Sequence, residues 1–218
     1  MVTEVLEIIE KYDLGSCIRW ILENNPSQAL PYHNFSHSLW VAYYVDQAYR
    51  YEKPDSDTPR ELIIAALFHD FDHGSGFFLD DGENIERALM GLNGFALADA
   101  MPEDVFAAQF LVVETKYPFT PIVLHEKDVR NNDEYRFQVS CLRDADMLQN
   151  CNDTLLANFV GIKQELFRYD SYAEYAKKSL AFLRSIKYET KYGKEVGQKK
   201  LDAAIEQFEK FRQLVFAE

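Results

Sequence analysis

Residues 62–68, LIIAALF, carry no polar side chain. They follow a strong helix start. Thr58 stands where an N-cap is needed, Pro59 suits the first turn, and Glu61 completes a capping box. A helix over 59–71 is expected, apolar on nearly every side. Such a helix has no face for water and must be surrounded by other elements. The apolar run is far too short to span a bilayer. A layered, water-excluding interior is the expectation that remains.

The rest of the chain supplies the surrounding elements. Helical periodicity runs over 3–24, with a break near Gly15. It resumes over 34–51, where Trp40, Val41, Tyr44, Val45 and Ala48 recur at three- and four-residue steps. Further helices are expected over 80–98, from 102 to short of Pro118, and over 134–149, 153–168, 171–188 and 194–215. Glu206 and Lys210 form a favourable i,i+4 pair in the last. Residues 117–132 read as a loop. Nine glycines and seven prolines offer too little turn chemistry for an all-β chain. No strand, repeat or Gly/Ser linker is recognisable. The fold class expected is all-α, a single domain over 1–218 of about eight helices.

Charge excludes some partners. The net charge of −13 repels phosphate backbones and anionic membranes, so neither a nucleic-acid duplex nor a membrane is expected as partner. A small phosphorylated substrate stays open, because a bound cation can reverse the local sign. The start, MVTEVLEIIEKYDL, lacks the basic region of a signal peptide. Cys17, Cys141 and Cys151 show no CxxC spacing and read as reduced, buried thiols, which points to a cytoplasmic home.

Four of the five histidines fall between positions 33 and 73. They form two groups, Tyr32-His33-Asn34-Phe35-Ser36-His37 and His69-Asp70-Phe71-Asp72-His73. Within each group the histidines are four residues apart, which puts them on one helix face. The second group ends the apolar helix, where an unpartnered charge is costly. Asp144 and Asp146 come later, in Arg143-Asp144-Ala145-Asp146-Met147-Leu148. Asp146, flanked by apolar residues, is the better candidate to point inward. Histidine nitrogens with aspartate oxygens make a donor set suited to one or two divalent ions, Mn, Mg, Fe or Zn.

The ordered set His37, His69-Asp70 and Asp146 resembles the metal-binding signature of the HD-domain superfamily of metal-dependent phosphohydrolases. Its details are most similar to the class I cyclic-nucleotide phosphodiesterase branch. Residues 32–37 resemble that branch's YHNxxH motif and residues 69–75 its HDxDHxG motif, with Ser75 where the motif has glycine. Residues 111–117, LVVETKY, fall where the branch has an apolar helix ending in TDM, with Lys116 in place of the aspartate. Ala145-Asp146-Met147 resembles the branch's ADL. The resemblance covers about 31–150 and implies an all-α fold. It implies that His37, His69, Asp70 and Asp146 hold a first metal, with Asp70 bridging to a second. It implies His33 as the general acid for the leaving oxygen and His73 beside the reacting water. The substrate it implies is a small nucleotide, cut at a phosphodiester or phosphomonoester bond.

Other residues carry weaker signals. Asn84 and Glu86 open the helix after the second histidine group and face the site or cap the helix. Thr115 and Lys116 touch substrate, or Lys116 complements a helix C-terminus. Asp72 orients a ligand histidine or faces solvent. His125 reads as a surface residue. Arg143 is expected to pair with Asp144 or Glu134. Phe167, Tyr169, Tyr172, Tyr175 and Phe182 read as core rather than a stacking shelf. Three other readings stay open: a nucleotide triphosphohydrolase, a di-iron oxygenase that recruits His73 and His125, and an inactive binding module.

Overall fold

The computed structural model describes residues 2–74, 81–99, 102–120, 133–166 and 171–216. Residues 121–132 of the loop expected over 117–132, with His125, and the aromatics Phe167 and Tyr169 lie outside them. The described residues are all-α and contain no strand. Ten α-helices follow in order: α1 Val2–Lys11, α2 Gly15–Asn24, α3 Phe35–Glu52, α4 Arg60–Phe68, α5 Gly82–Asp99, α6 Pro102–Val113, α7 Asp133–Gln149, α8 Leu155–Glu165, α9 Tyr172–Ser185 and α10 Gln198–Phe216. A 3-10 turn, Pro26–Ala29, precedes α3, and a π turn, Gly193–Gly197, leads into α10. The expected first helix divides into α1 and α2 because Asp13 takes a left-handed φ of 49°. Aspartate tolerates that conformation better than most residues.

The apolar helix α4 is central, as its sequence requires. Every residue from Leu62 to Phe68 is at most 1% exposed. It packs against α3, α5, α6 and α7, and α3 also packs along α7. Burying its five large side chains contributes on the order of 10 kcal/mol of transfer free energy, an upper figure because the unfolded chain is not fully extended. One continuous core joins these helices to α9 and α10 through residues such as Leu148, Leu180 and Phe208. All three cysteines are buried and none of them is in a disulfide. No described helix is long and apolar enough to cross a membrane.

Two local expectations are corrected. Thr58 does not cap α4; Pro59 holds the N-cap position without a side-chain bond. The Thr58 hydroxyl instead donates to Asp46 Oδ1 at 2.8 Å, and Tyr12 Oη donates to the same oxygen at 2.8 Å. A buried carboxylate on α3 thus outcompetes the local cap and ties α1, α3 and α4 together. The helix also ends at Phe68 rather than Phe71. Phe71 folds back through its N–H to Phe68 O, and its ring stacks on Trp20 and Phe68, the latter also stacked on Phe95. That early end leaves His69 and Asp70 on a turn at the edge of the core.

Candidate functional site

Three elements bring four donor atoms together. His37 lies in the first turn of α3, which Asn34 caps by accepting from Ser36 N–H at 2.9 Å. His69 and Asp70 follow α4, and Asp146 lies on α7. His37 Nε2 stands 3.0 Å from Asp70 Oδ2, 3.5 Å from Asp146 Oδ1 and 3.1 Å from His69 Nε2. His69 Nε2 stands 3.2 Å from Asp70 Oδ2 and 3.8 Å from Asp146 Oδ1. Bonds of about 2.0–2.2 Å to a divalent ion set donor–donor edges of roughly 3.0–3.5 Å. Four of the five observed spacings fall on that scale, and the fifth, His69 Nε2 to Asp146 Oδ1, is longer at 3.8 Å.

The donor chemistry also fits a cation. His69 Nδ1–H donates to Ala66 O at 2.8 Å, which fixes the tautomer and leaves the Nε2 lone pair facing the cluster. Both histidine rings are buried, 2% exposed each. Lone pairs and carboxylates facing one another repel unless a positive charge lies among them. A proton on His69 Nε2 meets the same need when no ion is bound. Burial disfavours the His69 cation, yet Asp70 and Asp146 outweigh it and hold its pKa well above the ordinary value. Burial likewise opposes the Asp70 anion, yet His69 and His37 hold its pKa well below the ordinary carboxylate range. His37 Nδ1 is buried without a hydrogen-bond partner. Its ring is steadied instead by Tyr32, with centroids 4.8 Å apart.

Beside this cluster lies a second arrangement that the sequence only half discloses. Glu165, at the end of α8, accepts from Tyr32 N–H and His33 N–H through Oε1, at 2.5 and 3.0 Å. Its Oε2 meets His33 Nδ1 at 2.5 Å. Gly161 permits this approach, since a Cβ there would come within 3.1 Å of Pro31 O. Burial lowers the His33 pKa, but Glu165 and Asp70 outweigh it and raise it above 6.5. The His33 ring stacks on His73, with centroids 3.7 Å apart and planes 16° apart. Burial and the charge of His33 push His73 down to about 3. One ring of the pair is therefore the proton carrier and the other stays neutral.

No motif in the sequence singles out Glu165. A signal existed. A glutamate in the last turn of a helix opposes the macrodipole and needs another reason to be there. His33, His73 and Glu165 offer donor atoms close enough to hold an ion. Those atoms are already engaged: Glu165 accepts three donors, and Asn84 Nδ2 donates to His73 Nε2 at 3.0 Å. The group is therefore already held together by its own hydrogen bonds.

The remaining candidates divide. Asn84 lines the cavity described below, and its Oδ1 accepts from Gly74 N–H at 2.9 Å. Thr115 lines the same cavity, but its hydroxyl donates to Val112 O at 2.8 Å. Lys116 is exposed and is not among the described lining residues. Asp72 orients no ligand histidine; it pairs with Arg87 at 2.9 Å. Arg143 pairs with Glu114 at 3.1 Å and Glu189 at 3.6 Å rather than with Asp144 or Glu134.

A cavity of about 330 Å³ opens over the cluster. Its polar end is formed by His33, His69, Asp70, His73, Asn84 and Asp146. Its other walls are largely apolar, with Ile162 and Leu166 at the α8 end and Tyr175 and Phe182 on α9. Tyr175 and Phe182 are thus wall residues and not core alone, whereas Tyr172 is 41% exposed. A polar, cation-ready floor beneath an apolar wall suits a ligand with an anionic end and a flat body. Comparison with protein-family models, curated proteins and solved structures returns no match to this chain.

Proposed function

We propose that this chain is a divalent-metal-dependent phosphohydrolase that cleaves a phosphoester bond of a small nucleotide. The observation that carries the reading is the convergence of His37 Nε2, His69 Nε2, Asp70 Oδ2 and Asp146 Oδ1, the last three on residues that line the cavity. The resemblance to the HD-domain superfamily names the same four residues. Bound there, a divalent ion supplies Lewis-acid polarisation of a phosphate and acidifies water in contact with it. The residues around it do the rest. His33 donates a proton to the leaving oxygen, since Glu165 holds Nδ1 and leaves Nε2 for the substrate. Glu165 also offsets the imidazolium charge. His73 keeps the His33 ring in place by stacking, and Asn84 holds His73. Tyr175 and Phe182 exclude water from one side and receive the flat part of the substrate.

Oxygen chemistry at two irons is the weaker reading, because His73 Nε2 is engaged by Asn84. The test is anaerobic incubation of Mn-loaded protein with cyclic and linear diesters, monophosphates and triphosphates of nucleosides. Turnover that is absent in Asp70→Ala supports the hydrolase. The product then separates ring opening, phosphate release and triphosphate release. Metal-loaded protein inert toward the whole panel contradicts a nucleotide substrate.

A further inference from the structure

Net charge and the cavity wall pose a problem together. The chain carries −13, and Asp70, Asp81 and Asp146 all line the cavity. An anionic substrate enters against that field. Lys178 is the one lysine or arginine among the described lining residues. It lies on α9 between two wall aromatics, three residues after Tyr175 and four before Phe182, which puts all three on one helix face. Lys178 is exposed, and among the described residues it makes no ion pair or hydrogen bond. Glu174, one turn earlier on the same helix, does not engage it. Beside it the Ser179 hydroxyl is buried without a hydrogen-bond partner. An unpaired cation and an orphan hydroxyl thus sit on the apolar wall. The cation is out of ion-pairing reach of Asp70 and Asp146, whose cluster handles the reacting phosphate.

We propose that Lys178 reads a second anionic group on the substrate, remote from the ester that is cleaved. This rests on the phosphohydrolase reading and narrows it to nucleotides that carry more than one phosphate. The reacting ester occupies the polar floor, the nucleoside body lies along Tyr175 and Phe182, and the distant phosphate meets the Lys178 ammonium and the Ser179 hydroxyl. A single charge-assisted contact at a partly exposed position supports a preference of about tenfold.

The test uses the full-length Mn-loaded protein and two chromogenic diesters with the same scissile bond. One is thymidine 3′-(4-nitrophenyl) phosphate; the other is the same compound with an added 5′-phosphate. Wild type is expected to favour the 5′-phosphorylated compound about tenfold in kcat/KM, through KM rather than kcat. Lys178→Ala is expected to bring the ratio close to one, and Lys178→Arg to retain most of it. Equal use of the two compounds by wild type, or a preference that survives in Lys178→Ala, overturns the inference while the hydrolase reading stands. Failure of metal-loaded wild type to cleave either compound counts against the diesterase form of the hydrolase reading, and the inference falls with it.

Discussion

Helix α7 carries two aspartates two residues apart, and their surroundings are opposite. Asp144 is 1% exposed and saturated by protein donors. Its Oδ1 accepts from Glu189 N–H at 2.9 Å; its Oδ2 accepts from Thr190 N–H at 2.8 Å and Thr190 Oγ1–H at 2.7 Å. Gly193 packs so close to this carboxylate that a Cβ could not fit. Asp146 Oδ1 faces two imidazole nitrogens instead. One carboxylate closes the fold by fastening the segment before α10, while the other is held open toward a cavity. A buried charge whose needs are met by its own chain reads as architecture. A charge assembled with like-minded acceptors reads as a place for something else.

That contrast can be broken by substitution. Asp146→Ala is expected to lower kcat/KM by at least about 10³-fold, the scale of removing a residue that acts as part of a catalytic unit. Without added metal its melting temperature should fall less than that of Asp144→Ala, because Asp70 still pairs with His69 and Asp146 is the more exposed of the two aspartates on α7. A large loss of stability instead would make Asp146 structural. Asp144→Ala is expected to do the reverse. Three donors lose their acceptor, at a cost of about 3 kcal/mol, or roughly 6–12 °C in a chain of this size. Activity per folded molecule, measured well below the lowered transition, should stay within about threefold of wild type. A collapse in kcat with an unchanged melting point would sink the division of labour.

Glu165→Gln sharpens the same comparison by a smaller effect. His33 must be protonated to act as an acid, so activity is lost as pH rises through its pKa. Glu165 and Asp70 raise that pKa above 6.5, which puts the falling limb above that value. Removing the Glu165 charge is expected to move the limb to lower pH and reduce kcat about tenfold. An unmoved limb would assign the proton to another group.

The parts of this contrast that sequence disclosed were the local ones. The buried helix α4 announces itself by composition, and His69-Asp70 is found because it terminates that helix. Apolar flanks mark Asp146 as the inward-pointing aspartate, yet Asp144 is the more deeply buried of the two, and Asp146 faces the histidine cluster from a partly exposed position. What escaped depends on distant contacts. Glu165 meets His33 across 132 positions, and nothing near it names its partner. Arg143 has two acids at hand in sequence but reaches Glu114 and Glu189, because α7 turns it toward α6 and the 189–190 segment. Thr58 carries a complete capping signal that Asp46, twelve positions earlier, overrides. Local rules hold until a buried charge offers a better partner.

The most direct measurement is the metal content of the protein after equilibrium dialysis against Mn²⁺, with Asp70→Ala and Asp144→Ala as paired controls. The expected result is at least one tightly held ion per chain in wild type and in Asp144→Ala, and none in Asp70→Ala. Wild type that retains no ion, or Asp70→Ala that retains as much as wild type, would contradict the claim that His37, His69, Asp70 and Asp146 form a metal centre.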